Sequence, residues 1–520
     1  MKRKQTIIVL IYMLLLLACL AVVLIIGHLA GDYGKDQTQQ SSESTAFQPD
    51  ADRDQELPAE LHTPADAGMD ESQAVDAAAG ERPWQPRHVG LKEEPVSELP
   101  QEEPYIPPVI MVSSDHHYIS TTMHDDGTAF WKMVQDEDGK ISQYSDEMID
   151  ALLAEAITNH PSALVLAGDL TLNGELENHQ KLAEKLKTAV EAGVPVLVIP
   201  GNHDINNQNA ATYFGAKREK AEYLAGAEDF LEIYHEFGYD QSLSRDPNSL
   251  SYVYALDEKH WLLMLDSCQY EDYNHVNGKL KRETLVWMEA QLAQASLEQI
   301  AVLPVGHHNL LSESRMYTTE CTMENHSQVI GLLEQYQVPL YISGHLHAQR
   351  IKKHKAAPGV SDEDYGVTEI VLSAYSIAPS QYGWLTWEEQ DDMAFATRQA
   401  DIAGFAASQG SEDENLLHFD TYGREFVNQI MARQAEKTIG SVPDGLKAEM
   451  SELFTGLYYD YCAGNQMSWD TVKTTKSYRL WQRVSPDSAY VQNMGQMIAD
   501  TKEDMHDWNW QQPEIGEQGE

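Results

Sequence analysis

The chain has 520 residues, more than one ordinary hydrophobic core holds, so at least one large domain with additional segments is expected. It carries 82 Asp and Glu residues against 36 Lys and Arg residues, a formal net charge of -46. Such a surface repels polyanions, and residues 2–4 are the only run of three consecutive Lys or Arg residues, so the composition argues against a nucleic-acid partner. A small anionic ligand is still compatible, because bound divalent cations would set the local charge.

The N-terminal segment predicts a membrane anchor. Residues 7–26 form an almost unbroken apolar run without a charge, and a helix of this length spans about 30 Å, one hydrocarbon core. Because the basic residues 2–4 precede the run, we predict a cytoplasmic tip at 1–6, a transmembrane signal anchor at 7–27 and an extracytoplasmic remainder. Two alternatives are open: lipoprotein cleavage before Cys19, and removal of a secretory signal.

The segment after the anchor, residues 28–106, consists mainly of Ala, Asp, Glu, Gln, Ser and Pro. It cannot bury enough apolar area to offset the entropy of ordering, so we predict a disordered acidic linker. Its like charges and prolines are expected to keep it extended.

Cysteine usage does not indicate a disulfide scaffold. Of four cysteines, one lies in the apolar run, which leaves Cys268, Cys321 and Cys462. An odd number allows one bridge with one free thiol, or no bridge, and the spacing does not choose between them.

From residue 107 onward, short β-rich runs alternate with helical stretches. The first strands and helices are predicted, in chain order, at Val109–Val112, Glu147–Asn159, Ala163–Ala167, His179–Ala192 and Val194–Ile199. This rhythm is typical of an α/β sheet with right-handed crossovers. A second such series ends with predicted strands at Gly383–Trp387 and Met393–Ile402. We therefore predict an α/β domain over 107–405, followed by a helical C-terminal subdomain, rich in Tyr, Trp and Met, over 406–520.

Five predicted strands are each followed at once by polar residues that can bind metals. The loops read SSDHH from Ser113, GDLTLNGE from Gly168, PGNHD from Pro200, GHH from Gly306 and GHLH from Gly344. Because loops at the carboxyl ends of strands form the ligand crevice of α/β sheets, these five loops, predicted at one sheet edge, are expected to converge. Each motif alone is weak, whereas the whole ordered set is not explained by chance.

The side chains of these loops suit divalent transition metals. Carboxylate, imidazole and amide ligands fit Mn, Fe, Zn or Ni, and the absence of cysteine argues against a structural zinc site. Glycines precede four of the candidate ligands, Asp169, Asn202, His307 and His345, where a tight turn can bring the backbone close to an ion.

The ordered set resembles the calcineurin-like metallophosphoesterase superfamily over about residues 109–402. The motifs that carry the resemblance are Asp115-x-His117, Gly168-Asp169, Gly201-Asn202-His203-Asp204, Gly306-His307 and Gly344-His345-x-His347. The resemblance implies a four-layer αββα sandwich with a dinuclear metal site at one sheet edge. It also implies hydrolysis of phosphate esters by a hydroxide held between the two metal ions.

The resemblance further implies a role for each residue. One metal ion would be held by Asp115, His117, Asp169 and His347. The second would be held by Asp169, Asn202, His307 and His345, and the two oxygens of Asp169 would bridge both ions. His203 resembles the family's catalytic histidine, which stabilises charge and protonates the leaving oxygen, and Asp204 would orient its imidazole.

Four further histidines lie close to the motifs. His116 and His308 neighbour ligands on extended segments, so their side chains point to the opposite face and a packing role is favoured. His179 and His326 each begin a predicted helix near the site, where contact with a substrate phosphate is an alternative to packing.

Together these features predict a metal-dependent phosphodiesterase or phosphomonoesterase in the cell membrane, with its catalytic domain outside and a small phosphate ester as substrate. One alternative is a non-catalytic cell-surface binding protein on the same fold, against which the intact ligand set argues. Another is a phosphoprotein phosphatase, against which the outward topology argues, because protein phosphate esters are scarce there.

Overall fold

The computed structural model describes residues 105–271, 273–355, 366–388, 392–439 and 442–511. The predicted tip and anchor, and the predicted linker up to residue 104, lie outside these described residues. Within the described part of the chain, no helix combines the length and the apolar character needed to cross a membrane.

Two mixed sheets form the centre of the fold. The strands of sheet 1 are, in spatial order, β15 (Asp507–Trp510), β14 (Met393–Gln399), β13 (Gln381–Trp387), β1 (Val109–Ser113), β2 (Ala163–Ala167) and β3 (Val196–Ile199). Those of sheet 2 are β11 (Arg350–Lys353), β12 (Thr368–Val371), β10 (Leu340–Ser343), β9 (Ala301–Gly306), β8 (His260–Leu265), β7 (Tyr252–Ala255) and β6 (Ser244–Arg245). A separate hairpin joins β4 (Ala211–Phe214) to β5 (Lys217–Lys220).

Helices cover the outer faces of the sheets and make up most of the C-terminal part. Before residue 400 they are α1 (Thr128–Asp136), α2 (Ser145–Asn159), α3 (Leu176–Glu191), α4 (Ala227–Tyr234), α5 (Arg282–Glu298) and α6 (His326–Gln335). The C-terminal helices are α7 (Ile402–Ser408), α8 (Glu414–Leu417), α9 (Phe419–Thr438), α10 (Asp444–Ala463), α11 (Trp469–Val472), α12 (Lys476–Val484) and α13 (Ala489–Asp500).

The alternation of side chains along β8 shows how the layers stack. Leu262 and Met264 point into the core shared with sheet 1, whereas Leu263 and Leu265 point into a second core with α5 and α6. On the far side of sheet 1, α2 and α3 add apolar residues to the first core. The layers therefore run helix, sheet, sheet, helix, and the predicted αββα sandwich is confirmed.

The C-terminal helices are also confirmed, with two corrections. The last predicted strand, Met393–Ile402, ends at Gln399, because the Asp401 carboxylate accepts a hydrogen bond from the Gly404 amide at 2.7 Å and caps α7. The C-terminal part is not entirely helical: β15 pairs antiparallel with β14, with Trp510 opposite Met393. Cysteines 268, 321 and 462 are each free, so no bridge joins them.

Candidate metal centre

The five motif loops meet, but they come from two sheets rather than from one sheet edge as predicted. Three follow β1, β2 and β3 of sheet 1, and two follow β9 and β10 of sheet 2. Packing the sheets face to face brings the carboxyl ends of these strands together. The His345 amide, after β10, donates to the Asp115 carboxylate, after β1, at 3.0 Å and so ties the sheets at the site.

The first group of candidate ligands consists of Asp115, His117, Asp169 and His347. One ligand atom from each lies within 4.8 Å of the others. His347 Nε2 is 3.1 Å from His117 Nε2 and 3.3 Å from Asp115 Oδ1. Two imidazole nitrogens and two carboxylate oxygens converging on one point fit a divalent transition metal, which such donors bind.

The second group consists of Asp169, His307 and His345, whose ligand atoms also lie within 4.8 Å of one another. Asn202 joins it, since its Oδ1 is 3.2 Å from His307 Nε2. All seven predicted ligands are thus brought into two adjoining groups that share Asp169.

Asp169 connects the groups through one oxygen, not through two as predicted. Its Oδ2 is 3.7 Å from His117 Nε2 in the first group and 3.3 Å from His307 Nε2 in the second. Its Oδ1 instead accepts the His203 amide at 2.7 Å. Oδ2 is therefore the atom that would bridge two ions.

The backbone at the centre is unusual. Five candidate ligands have left-handed backbone conformations: Asp115, His117, Asp169, His345 and His347. Non-glycine residues adopt this conformation rarely, and it concentrates at functional sites. Close packing requires glycine at position 201, because a Cβ atom there would overlap the backbone amide of Asp169. The loops are therefore held in conformations that aim the side chains at one point.

Hydrogen bonds from behind orient the imidazoles. His307 Nδ1 donates to the Ala167 carbonyl at 2.9 Å, and His345 Nε2 donates to the Glu320 carbonyl at 2.9 Å. His347 Nδ1 lies 2.8 Å from the carboxylate of Asp138. In each case the other ring nitrogen is left for an ion, as in carboxylate–histidine–metal triads.

Sequence reasoning missed Asp138 and Glu320. Asp138 lies between α1 and α2, in the stretch DEDGK from Asp136, which is typical of a solvated turn. In the structure Lys140 Nζ is 2.9 Å from Asp138 and 2.8 Å from Glu137, and its side chain is buried. Glu320 acts through its backbone carbonyl, which leaves no signal in the side-chain pattern.

Replacing Asp138 by asparagine is expected to weaken metal binding about 10- to 100-fold, the usual cost of losing a carboxylate behind a metal-binding histidine. Equilibrium dialysis of Mn²⁺ against Asp138→Asn measures the effect. The matched control is Asp136→Asn, because Asp136 is exposed and pairs with Lys132 on α1. Equal affinities in the two variants would contradict this role for Asp138.

Opposing effects set the charge of the ligands. Burial alone would lower the pKa of His307, but the Asp169 carboxylate outweighs it and raises the pKa to about 9. The carboxylates of Asp138 and Asp115 likewise outweigh the burial of His347 and raise its pKa to about 10. Burial lowers the pKa of His345 to about 4, so this ring is neutral at pH 7.

Metal binding is expected to release about two protons at pH 7, because His307 and His347 are protonated in the metal-free protein and must become neutral to bind an ion. Affinity should therefore rise with pH up to the range of these two pKa values. Calorimetric titration of Mn²⁺ in buffers of different ionisation enthalpy counts the protons. Binding without proton release would contradict the prediction.

His203 lies at the edge of the first group, with its ring centroid 4.7 Å from that of His117 in an edge-on arrangement. Its Nδ1 donates to the Leu172 carbonyl at 2.7 Å. Nε2 is therefore the nitrogen that can deliver a proton to a leaving oxygen.

Asp204 does not orient His203, contrary to the sequence-based interpretation. Its buried carboxylate accepts the amides of Leu170, Thr171 and Gly201 at 2.8–3.0 Å, together with the Thr171 hydroxyl at 3.0 Å. The Leu172 carbonyl takes the place expected for Asp204, and Asp204 instead fastens the Asp169 loop to the Asn202 loop.

The neighbouring histidines have packing roles. His116 is buried against Tyr375, and His308 is hydrogen-bonded to Ser267 and to the Val276 carbonyl, as predicted. His179 is fully buried, which excludes the substrate contact considered for it. Its Nε2 lies 2.9 Å from the Asp204 carbonyl, so it supports the same loop.

Comparison with known families agrees with this geometry. Residues 108–349, which include every candidate ligand, match the calcineurin-like phosphoesterase family. This part of the chain, residues 108–349, is a calcineurin-like phosphoesterase domain. A second match covers residues 401–504 and the helices α7 to α13 within them, and it is to the C-terminal domain of cyclic nucleotide phosphodiesterase.

Individual relatives are distant. The chain is 27% identical over 203 residues to the glycerophosphodiester phosphodiesterase GpdQ of Enterobacter lignolyticus, covering 39% of this chain and 61% of that protein. It is 22% identical over 185 residues to a probable cyclic nucleotide phosphodiesterase of Vesicomyosocius okutanii, covering 35% and 61%. The match thus spans about three fifths of each relative. A solved dimetal phosphatase of Danio rerio is 14% identical with a TM-score of 0.42, covering 57% of this chain and 97% of that one.

Proposed function

We propose that this chain hydrolyses a phosphate ester bond in a small substrate, with two metal ions held at the candidate metal centre. We further propose that it prefers phosphodiesters to phosphomonoesters. The observation that carries the proposal is the position of Asp169 Oδ2 between two groups of ligand atoms. The names of both curated relatives, which are phosphodiesterases, support the diester over the monoester.

Different residues of the chain hold the ions and transfer the proton in the proposed reaction. When bound, the ions supply Lewis-acid stabilisation of the phosphoryl charge and activation of the attacking water. Asp169 and the Asn202 loop hold the two sites at a fixed spacing, because Asp204 fastens both loops. His203 keeps Nε2 available through the Leu172 carbonyl and transfers its proton to the leaving oxygen.

The full-length chain, purified in detergent and loaded with Mn²⁺, is expected to hydrolyse bis(p-nitrophenyl) phosphate, and removal of metal with a chelator is expected to abolish turnover. Faster turnover of p-nitrophenyl phosphate would place the monoester first. Two bound ions per chain without hydrolysis of either ester would favour the non-catalytic binding protein.

We also propose that the anchor at 7–27 holds the metal centre outside the cytoplasmic membrane. The support is the apolar run 7–26 behind the basic residues 2–4. Protease added to intact cells should then digest the domain that carries the centre, and protection from the protease would place it inside. Mass spectrometry of the mature N-terminus separates the anchor from a lipoprotein that begins at Cys19.

A further inference from the structure

A loop of residues 310–322, named here the bridging loop, links the metal centre to the C-terminal helices. Asn309, two residues after the candidate ligand His307, forms a β-bridge with Thr322, and this bridge joins the two ends of the loop. Its first two amides, of Leu310 and Leu311, donate to the buried Glu369 carboxylate at 2.8 and 2.6 Å. The start of the loop is therefore fixed to sheet 2.

The middle of the bridging loop rests on the C-terminal helices. The Ser314 hydroxyl is 2.6 Å from the Tyr461 hydroxyl of α10, and both side chains are buried. The Arg315 amide donates to the carboxylate of Asp500, the last residue of α13, at 2.8 Å, and its guanidinium lies 3.2 Å from the same carboxylate. Two helices thus hold one turn of the loop.

The end of the bridging loop reaches the metal centre. The Glu320 carbonyl accepts a hydrogen bond from His345 Nε2 at 2.9 Å, and Glu320 itself has a left-handed backbone, with φ of 65°. Since Nε2 is engaged, Nδ1 is the nitrogen of His345 that an ion would take. The position of this carbonyl therefore decides the orientation of a candidate ligand.

A second attachment lies just beyond the other histidine of the same motif. The Gln349 amide, two residues after His347, donates to the Cys462 carbonyl at the end of α10 at 2.9 Å. The buried Arg350 guanidinium stacks on the Tyr461 ring at 3.9 Å and donates to the Tyr461 carbonyl at 2.9 Å. The C-terminal helices thus contact the bridging loop behind His345 and also the residues just after His347.

We propose that the C-terminal helical domain is a positioning part of the metal centre. Tyr461 and Asp500 hold the bridging loop so that the Glu320 carbonyl keeps His345 ready to bind an ion. The inference rests on the proposed function only in requiring that the centre binds metal. Loss of a hydrogen bond that orients a metal-binding histidine, as the Glu320 carbonyl orients His345, weakens metal binding about 10- to 100-fold.

The test compares the full-length parent with the double variant Tyr461→Phe/Asp500→Ala. Mn²⁺ affinity is measured by competition with a chelator, and the thermal unfolding midpoint is measured on the metal-free proteins. The control is Met494→Ala, which opens a cavity in the C-terminal core, because Met494 is fully buried on α13 and takes no part in the hydrogen bonds of Ser314 and Arg315. A tenfold or larger loss of affinity is expected in the double variant, with parental affinity in the control.

The inference is overturned if the double variant keeps parental Mn²⁺ affinity, or if Met494→Ala loses affinity equally at a similar unfolding midpoint. If the double variant does not fold, the Mn²⁺ affinities of two milder variants, Tyr461→Phe and Arg315→Ala, are compared with those of the parent and Met494→Ala. Tyr461→Phe removes one hydroxyl, and Arg315→Ala alters a side chain that is 60% exposed. A parent that binds no Mn²⁺ overturns both proposals. A parent that binds Mn²⁺ without hydrolysing esters overturns only the proposed function.

Discussion

Replacing Asp169 by asparagine is expected to lower kcat/KM for bis(p-nitrophenyl) phosphate by on the order of a thousandfold. Oδ2 of Asp169 faces both ligand groups, so the substitution removes one negative charge from each candidate ion site at once. A loss of about 4 kcal/mol of transition-state stabilisation corresponds to that factor and is within the several kcal/mol that such ions supply.

Steady-state kinetics together with elemental analysis of the bound metal check this prediction for Asp169→Asn. Asp150→Asn is the matched control, since Asp150 pairs with Lys185 on the outer helices and its side chain is 41% exposed. The control should keep its rate within about twofold, as surface ion pairs contribute little. An Asp169→Asn protein that retains two ions and more than about a tenth of parental activity would rule out the bridging role.

Replacing His203 by asparagine is expected to reduce kcat about 10²- to 10⁴-fold on a diester with an alkyl leaving group, the usual contribution of a positioned general acid. The loss should be smaller on bis(p-nitrophenyl) phosphate, because p-nitrophenolate leaves without a proton. Metal content should be unchanged, since the His203 side chain donates to the Leu172 carbonyl and is not a candidate ligand, and the substitution keeps the backbone amide that donates to Asp169.

The comparison of the two leaving groups distinguishes acid catalysis from charge stabilisation. Equal losses on both substrates would assign His203 to charge stabilisation alone, and no loss on either would remove it from the reaction. His235→Asn serves as the control, because His235 is half exposed and pairs with Asp240 far along the chain from the motifs.

The ligand identities and their loops were predictable from the sequence because the determining features are local. Each ligand loop follows an apolar run, and the observed β1, β2 and β3 lie within two residues of the predicted strand bounds. Glycine beside Asp, Asn or His marks the tight turns, as Gly201 against the Asp169 amide illustrates. Run length, turn chemistry and donor type are all properties of neighbouring residues.

Contacts between distant segments were decided only by the tertiary structure. The sequence predicts that Asp204 orients the His203 imidazole. Only the structure shows that the Leu172 carbonyl accepts the hydrogen bond from His203 Nδ1, and that Asp204 binds backbone amides instead. The sequence around Asp138 is typical of an exposed turn, and only the structure shows its carboxylate 2.8 Å from His347 Nδ1. Likewise, the short strand β15 exists because β14 offers it a free edge.

By itself the sequence determined which residues can bind metal and that they follow strands, because these properties depend on residue type and on neighbours in the chain. The tertiary structure alone decided that two sheets supply the ligands, that one oxygen of Asp169 faces both ligand groups, and that the C-terminal helices contact the loop behind His345. These arrangements depend on the packing of segments more than a hundred residues apart, which no local pattern encodes.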